Sequence, residues 1–250
     1  PMSDPNTDHL SFGACLDSDH PEVRTAYDAA LWILNNLVTP DAYSPISWSP
    51  ATVISPAASV KLGWWALYAN DKLTKALELL ATMDDCIVGI DAERRFYYLP
   101  RSVALAVPNL TLRVAEVPPA GWKADGVLLG TDYGVESAPA TTPVSEVIIA
   151  SRDKNGRPGQ RTYKDAATSA TRRAATVYAP GLRAGIGARA LARGILNRYR
   201  SEGQRWEGLR CVAASRRFEP HLGATTIYDG GELTATGLAG QVAVDWDGPT

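Results

Sequence analysis

Residues 152–200 read RDKNGRPGQRTYKDAATSATRRAATVYAPGLRAGIGARALARGILNRYR, and the architecture turns on how this stretch folds. It opens on a charged turn cluster, 152–159, in which Asn155-Gly156 favours a tight hairpin turn. Beyond the turn, alanine is abundant and arginine falls at positions 172, 173, 183, 189, 193, 198 and 200. That composition predicts a helical pair, 163–178 and 181–200, separated at Pro180-Gly181. In the second helix Leu182, Ile186, Leu191, Ile195 and Leu196 form the expected buried stripe, leaving Arg189, Arg193 and Arg200 on other faces.

The same stretch dominates the charge distribution. Window 152–217 holds 14 Arg and 2 Lys against 4 carboxylates, so its net charge is 16 − 4 = +12. The remaining chain carries 9 basic and 23 acidic residues, or −14, and the two sum to the overall −2. An acidic body with a basic band suits contact with something anionic, either acidic protein surface or nucleic acid. Arginine outnumbers lysine 14 to 2 in the band, which favours fixed, forked pairing with carboxylate or phosphate over general solubility.

Outward from the band, the 250 residues give ample length for a real core, with 45% hydrophobic and 21% charged residues, ordinary globular values. No apolar run approaches the roughly 20 residues that span a bilayer. The polar, acidic start, Pro1 to Asp8, is the opposite of a signal peptide, so the expectation is a protein of the cytoplasm or of a virus particle. Cys15, Cys86 and Cys211 are odd in number and far apart, which predicts reduced thiols, chiefly buried, without zinc-ligand spacing.

Toward the N-terminus, Asp17, Asp19 and His20 fall close together in a pattern that suits a metal, though Ser18 or Asp19 before Pro21 and Glu22 reads more simply as a helix start. Val23, Tyr27, Ala30, Leu31, Leu34 and Leu37 recur at helical spacing over 21–38. Pro40, Pro45, Pro50 and Pro56 then exclude helix and central strand from 39–56, yet Tyr43, Ile46 and Trp48 make that stretch too apolar for a solvated linker. It should lie extended, packing Tyr43 and Trp48 against its own surface or a neighbouring subunit. Residues 57–83 read as helix, with a break at Asn70-Asp71 and the pair Trp64-Trp65 on its faces. After residue 84 the period shortens to β-type runs at 86–91, 94–99, 110–117, 126–129 and 144–150, and β-type runs return over 209–250.

Chemical motifs are sparse. Gly185-Ile186-Gly187-Ala188-Arg189-Ala190 fits the G-x-G-x-x-G/A dinucleotide fingerprint, and Ser215-Arg216-Arg217 downstream suits a 2′-phosphate, so about 40 residues resemble an NADP-binding βαβ unit. Against this, 179–183 is a poor strand, too few βαβ units fit after residue 175, and a charged loop at 201–208 delays the next strand. G-x-S-x-G, H-E-x-x-H and the phosphate-binding G-x-x-x-x-G-K-[ST] are all absent from the sequence.

The reading is therefore an α+β chain forming one domain. It comprises a mainly helical part over 1–83, a β-rich part over 84–151, a basic helical part over 152–208 and a β-type tail. The function expected is structural assembly, with a virus particle as the setting by likeness of composition. No cofactor, metal or catalytic residue is assigned. Arg172, Arg173, Arg189, Arg193, Arg200, Trp48 and Tyr43 are the expected interface or anion-binding residues. The alternatives are an NADP-dependent or otherwise unrecognised enzyme, and a nucleic-acid module using the 152–217 band to bind RNA.

Overall fold

The computed structural model describes residues 9–38, 46–90, 94–106, 110–113, 126–128, 134–137, 144–153, 155, 157–164, 174–201, 204–207, 211–213, 224–229 and 233–238. The chain is α+β and divides into two compact units. The first comprises residues 1–88, 94–100 and 137–203, and the second comprises 89–93, 101–136 and 204–250.

In chain order the elements begin with β1 (His9–Phe12), α1 (Ala26–Ile33), a π-helical turn (Leu34–Val38), β2 (Trp65–Tyr68) and α2 (Leu73–Met83). The paired strands β3 (Cys86–Ile90) and β4 (Phe96–Pro100) follow, then α3 (Arg101–Ala106), β5 (Leu110–Arg113), β6 (Gly126–Leu128) and β7 (Gly134–Ser137). The chain continues through β8 (Glu146–Arg152), β9 (Pro158–Lys164), β10 (Ala174–Arg183) and α4 (Ile186–Ser201). It ends on β11 (Gln204–Glu207), β12 (Cys211–Ala213), β13 (Ala224–Asp229) and β14 (Leu233–Leu238).

The first unit is built on a sheet of order β1-β2-β10-β8-β9. β8 and β9 pair antiparallel from Glu146↔Lys164 to Arg152↔Pro158, so the strands are joined across 153–157, the stretch that holds the Asn155-Gly156 pair, and Gly156 lies outside the described residues. β10 runs parallel to β8, and β2 joins it antiparallel at Leu182↔Trp65. One face is packed: Phe12, Trp65, Val147, Ile149, Ala179 and Leu182 share a core with α1, α2 and α4. Alternation of side chains along a strand sends His9, Tyr68, Arg152, Tyr178 and Arg183 to the other face.

Three local readings need correction. Residues 174–183 form strand β10, not the first helix of the expected pair. Alanine favours helix only weakly, and the β-branched and aromatic run Thr176-Val177-Tyr178 gains more by pairing with the buried strand β8. Residues 57–72 are not helical either, because Trp65–Tyr68 is the strand between β1 and β10, and the helix starts only at Leu73. The first helix begins at Ala26 and not at Pro21. Thr25 supplies a capping box there: Asp28 N–H donates to Thr25 Oγ1 at 3.1 Å and Thr25 N–H to Asp28 Oδ2 at 2.9 Å.

Two glycines set close approaches. A Cβ on Gly181 would lie 1.9 Å from the Ala66 carbonyl oxygen, so β10 meets β2 only because that position is bare. A Cβ on Gly194 would lie 2.0 Å from the Thr82 oxygen, which is how α4 seats against α2. Asp84, at the end of α2, ties the unit together. It accepts from Ser59 Oγ and Val60 N at 2.8 Å each and from Tyr98 Oη at 3.1 Å. Burial leads these influences and raises its carboxyl above the ordinary value.

In the second unit the sheet order is β12-β6-β5-β13-β14, with β13–β14 an antiparallel pair in register from Ala224↔Leu238 to Asp229↔Leu233. β5 pairs parallel with both β13 and β6, and β7 pairs with β11 in a separate ribbon.

Candidate functional site

The unpacked face of the first sheet gathers arginine and aromatic side chains at the end where β8 and β10 finish. His9 and Tyr68 face each other across β1 and β2, with ring centroids 5.6 Å apart, and Trp64 lies edge-on to His9 at 6.2 Å. Arg183, the last residue of β10, lays its guanidinium 4.2 Å over the Trp64 ring, and Arg152, the last of β8, lies 5.1 Å over Tyr68. A guanidinium over an aromatic face is attracted by the ring quadrupole, most strongly at Trp. Arg183 also pairs through Nη1 and Nη2 with Asp17, carried by the loop after β1.

That loop is held by backbone and side-chain bonds. Ser11 N–H donates to Asp19 Oδ2 at 3.0 Å, and Ser11 Oγ donates to the Asp17 carbonyl at 3.1 Å. Asp17, Asp19 and His20 thus take separate partners, His20 turning to Glu22 at 3.1 Å while its ring stacks on Phe12. Among the described residues no group of metal-ligating side chains comes together.

Electrostatics at the cluster are mixed. Burial raises the Tyr68 phenol above its ordinary value, Arg152 and Arg183 pull it back, and Asp71 and Tyr178 push it up. Tyr68 Oη, His9 Nδ1, Trp64 Nε1 and Arg183 Nε are buried without hydrogen-bond partners. Three large apolar or aromatic side chains near these residues in sequence are exposed. Tyr178 is 75% exposed, Leu16 beside Asp17 is fully exposed, and Ile186, three residues after Arg183, is 62% exposed.

Of the residues expected from sequence, Arg189 and Arg193 lie exposed on α4, while the expected stripe holds only from Leu191 on, since Leu182 belongs to β10 and Ile186, in the first turn of α4, is 62% exposed. Arg200 belongs to α4, but its side chain, like Arg172, Arg173 and Tyr43, lies outside the described residues. Trp48 packs against the first unit's own core. The described part of the proline-rich segment, 46–56, runs beside β4 through isolated bridges Ser47↔Arg95 and Val53↔Tyr98.

Sequence reasoning passed over His9, Trp64, Tyr68, Arg152, Tyr178 and Arg183 as site residues. The usable signal was the period-two pattern in Ala175-Thr176-Val177-Tyr178-Ala179, which places Tyr178 opposite the buried alanine.

The glycine fingerprint has a better local setting than its sequence implied, since β10 ends at Arg183 and α4 starts at Ile186, with Gly185 at φ +151° between them. The objection that 179–183 makes a poor strand is thereby overturned. A dinucleotide unit also requires a following parallel strand, and here the chain leaves α4 for β11, which pairs with β7.

No family model matches the chain, and no curated protein matches it. Among solved structures it is similar to the tail protein from Neisseria meningitidis MC58, with a TM-score of 0.49 and 16% identity over 86% of this chain. The match spans 60% of that structure's length.

Proposed function

We propose that this chain is a non-enzymatic structural subunit of a larger assembly, and in its most specific form a shell or surface component of a virus particle. Neighbouring subunits would be joined through its arginine-bearing surfaces, and on this reading the protein works in the cytoplasm or within the particle. The observation that supports it is the composition of the open sheet face. Arg152 and Arg183 are stacked on Tyr68 and Trp64, and Tyr178 of the same strand as Arg183, Leu16 next to Asp17 in sequence and Ile186 at the start of α4 are exposed. Arg, Trp and Tyr are the residues that concentrate binding energy at protein interfaces, and exposed apolar side chains gain by being covered. The acidic remainder of the chain, at −14, supplies a complementary surface on a second copy.

The test is the mass of the native species by sedimentation at low and high salt, for wild type and for Arg189→Glu, Arg193→Glu, Arg200→Glu combined. Wild type should sediment as an oligomer that loosens with salt, and the triple variant should be smaller while keeping its far-ultraviolet dichroism. Monomeric wild type at every concentration and salt would overturn the reading. A variant that sediments as wild type but loses retention of RNA would move the function to nucleic-acid binding.

A further inference from the structure

The four unpartnered buried atoms described above carry an inference about the same cluster that does not depend on assembly. Among the described residues they are the buried side-chain nitrogens and oxygens without a hydrogen bond, and all four belong to one group: His9 Nδ1, Trp64 Nε1, Tyr68 Oη and Arg183 Nε. Leaving such a group unpaired costs about 1–3 kcal/mol, so four in one place call for a common cause. The Trp64 and Arg183 atoms can only donate, and the Tyr68 hydroxyl donates when an acceptor is offered. Trp64 is 5% exposed and its indole N–H is buried away from solvent. With His9 in the tautomer that carries its proton on Nδ1, what the group lacks is an acceptor.

We infer that this cluster is a binding site for a small carboxylate monoanion. Two guanidiniums border it, and Asp17 offsets one of them through the Nη atoms of Arg183, leaving Nε free. Asp71 is occupied in accepting the Tyr68 amide at 3.0 Å. Arg152 lies over the Tyr68 ring and makes no ion pair there among the described residues, so one guanidinium remains for one negative charge. The aromatic faces are already covered by the guanidiniums, which disfavours a ligand that binds by ring stacking. A planar carboxylate suits the fork of arginine, and Asp17 already binds Arg183 in that way. Since Arg152 lies over Tyr68, its side chain must swing for the ligand to enter, a motion of picoseconds to nanoseconds for a surface side chain.

The experiment follows indole N–H signals by nuclear magnetic resonance on the full chain, with sodium acetate as the probe and sodium chloride at matched ionic strength as the reference. The chain has 7 tryptophans, and Trp64→Phe assigns the relevant signal. Acetate should move the Trp64 signal saturably while chloride does not, and the other indoles should stay in place. Arg183→Gln and Arg152→Gln should each weaken the response about tenfold or more, as expected for loss of a hydrogen bond to a charged group. Lys75→Gln, on the exposed side of α2, should titrate as wild type and serves as the fold control. A Trp64 signal that ignores acetate, that follows chloride equally, or that titrates unchanged in both arginine variants would overturn the site. A response to inorganic phosphate but not acetate would overturn the carboxylate class.

Discussion

Gly181→Ala should be among the most damaging single-methyl additions this chain can receive. The added Cβ would sit 1.9 Å from the Ala66 carbonyl oxygen and 3.0 Å from its carbon, both backbone atoms that no rotamer change can move. Restoring even a 3.0 Å separation requires β2 and β10 to part by 1.1 Å at that point, the difference 3.0 − 1.9. The strands meet through Leu182↔Trp65 and through Arg183 N–H donating to the Trp64 carbonyl at 3.4 Å, so the parting strains the seam directly. Overpacking of this kind costs about 1–3 kcal/mol, and a lost hydrogen bond adds about 1 kcal/mol, giving roughly 2–4 kcal/mol. Urea unfolding followed by tryptophan fluorescence measures it, with Gly159→Ala as reference because nothing lies within 4 Å of a Cβ there. Gly187→Ala should fall between them, since the nearest atom is the mobile Leu182 Cδ1 at 3.0 Å. A Gly181→Ala protein within about 0.5 kcal/mol of wild type would refute the claim that a bare backbone position sets the β2–β10 approach.

Two further outcomes can be checked. Asp84→Ala removes the acceptor shared by Ser59 Oγ, Val60 N–H and Tyr98 Oη, and should cost about 2–4 kcal/mol in the same urea assay, because the deeply buried Tyr98 hydroxyl loses its carboxylate. Cys86 is pushed from near 9 up to about 12, first by burial and then by Asp84 and Asp85. The folded state therefore holds this proton more tightly than the unfolded chain does. The associated stability is present below pH 9 and is lost between pH 9 and about 12, with a slope of up to about 1.4 kcal/mol per pH unit, and Cys86→Ala should flatten that part of a pH–stability profile.

How far sequence reading reached depends on which forces decide each element. α4 and α2 were legible because their apolar residues recur at helical spacing and a packed partner rewards that pattern. The reversal between β8 and β9 was signalled by the turn cluster 152–159, but β9 itself was not, and its last residues, Tyr163 and Lys164, were read as helix. β10 was not, because its alanines speak for helix locally while its stability comes from pairing with β8, a partner that sequence spacing does not reveal. Trp64-Trp65 was misplaced for a related reason: in a strand the two rings go to opposite faces, so Trp65 joins the core and Trp64 meets Arg183. The site itself joins His9, Trp64, Arg152 and Arg183 from four separate stretches of chain, and no short motif can encode that convergence.

The order β1-β2-β10-β8-β9 also sets a timetable for synthesis. β2 ends at Tyr68 and its partner β10 begins at Ala174, so a ribosome adding about 5–20 residues per second leaves β2 waiting roughly 5–20 s for its neighbour. During that interval Trp65 and Leu67 belong to a core whose other half has not been made. The nascent chain therefore passes through a stage in which β2 is paired with β1 alone and its other edge is open, the kind of species that chaperones bind and that misassembles in crowded synthesis. Slowing translation between codons 69 and 173 should lower the soluble yield, and coexpression of a holdase should restore it.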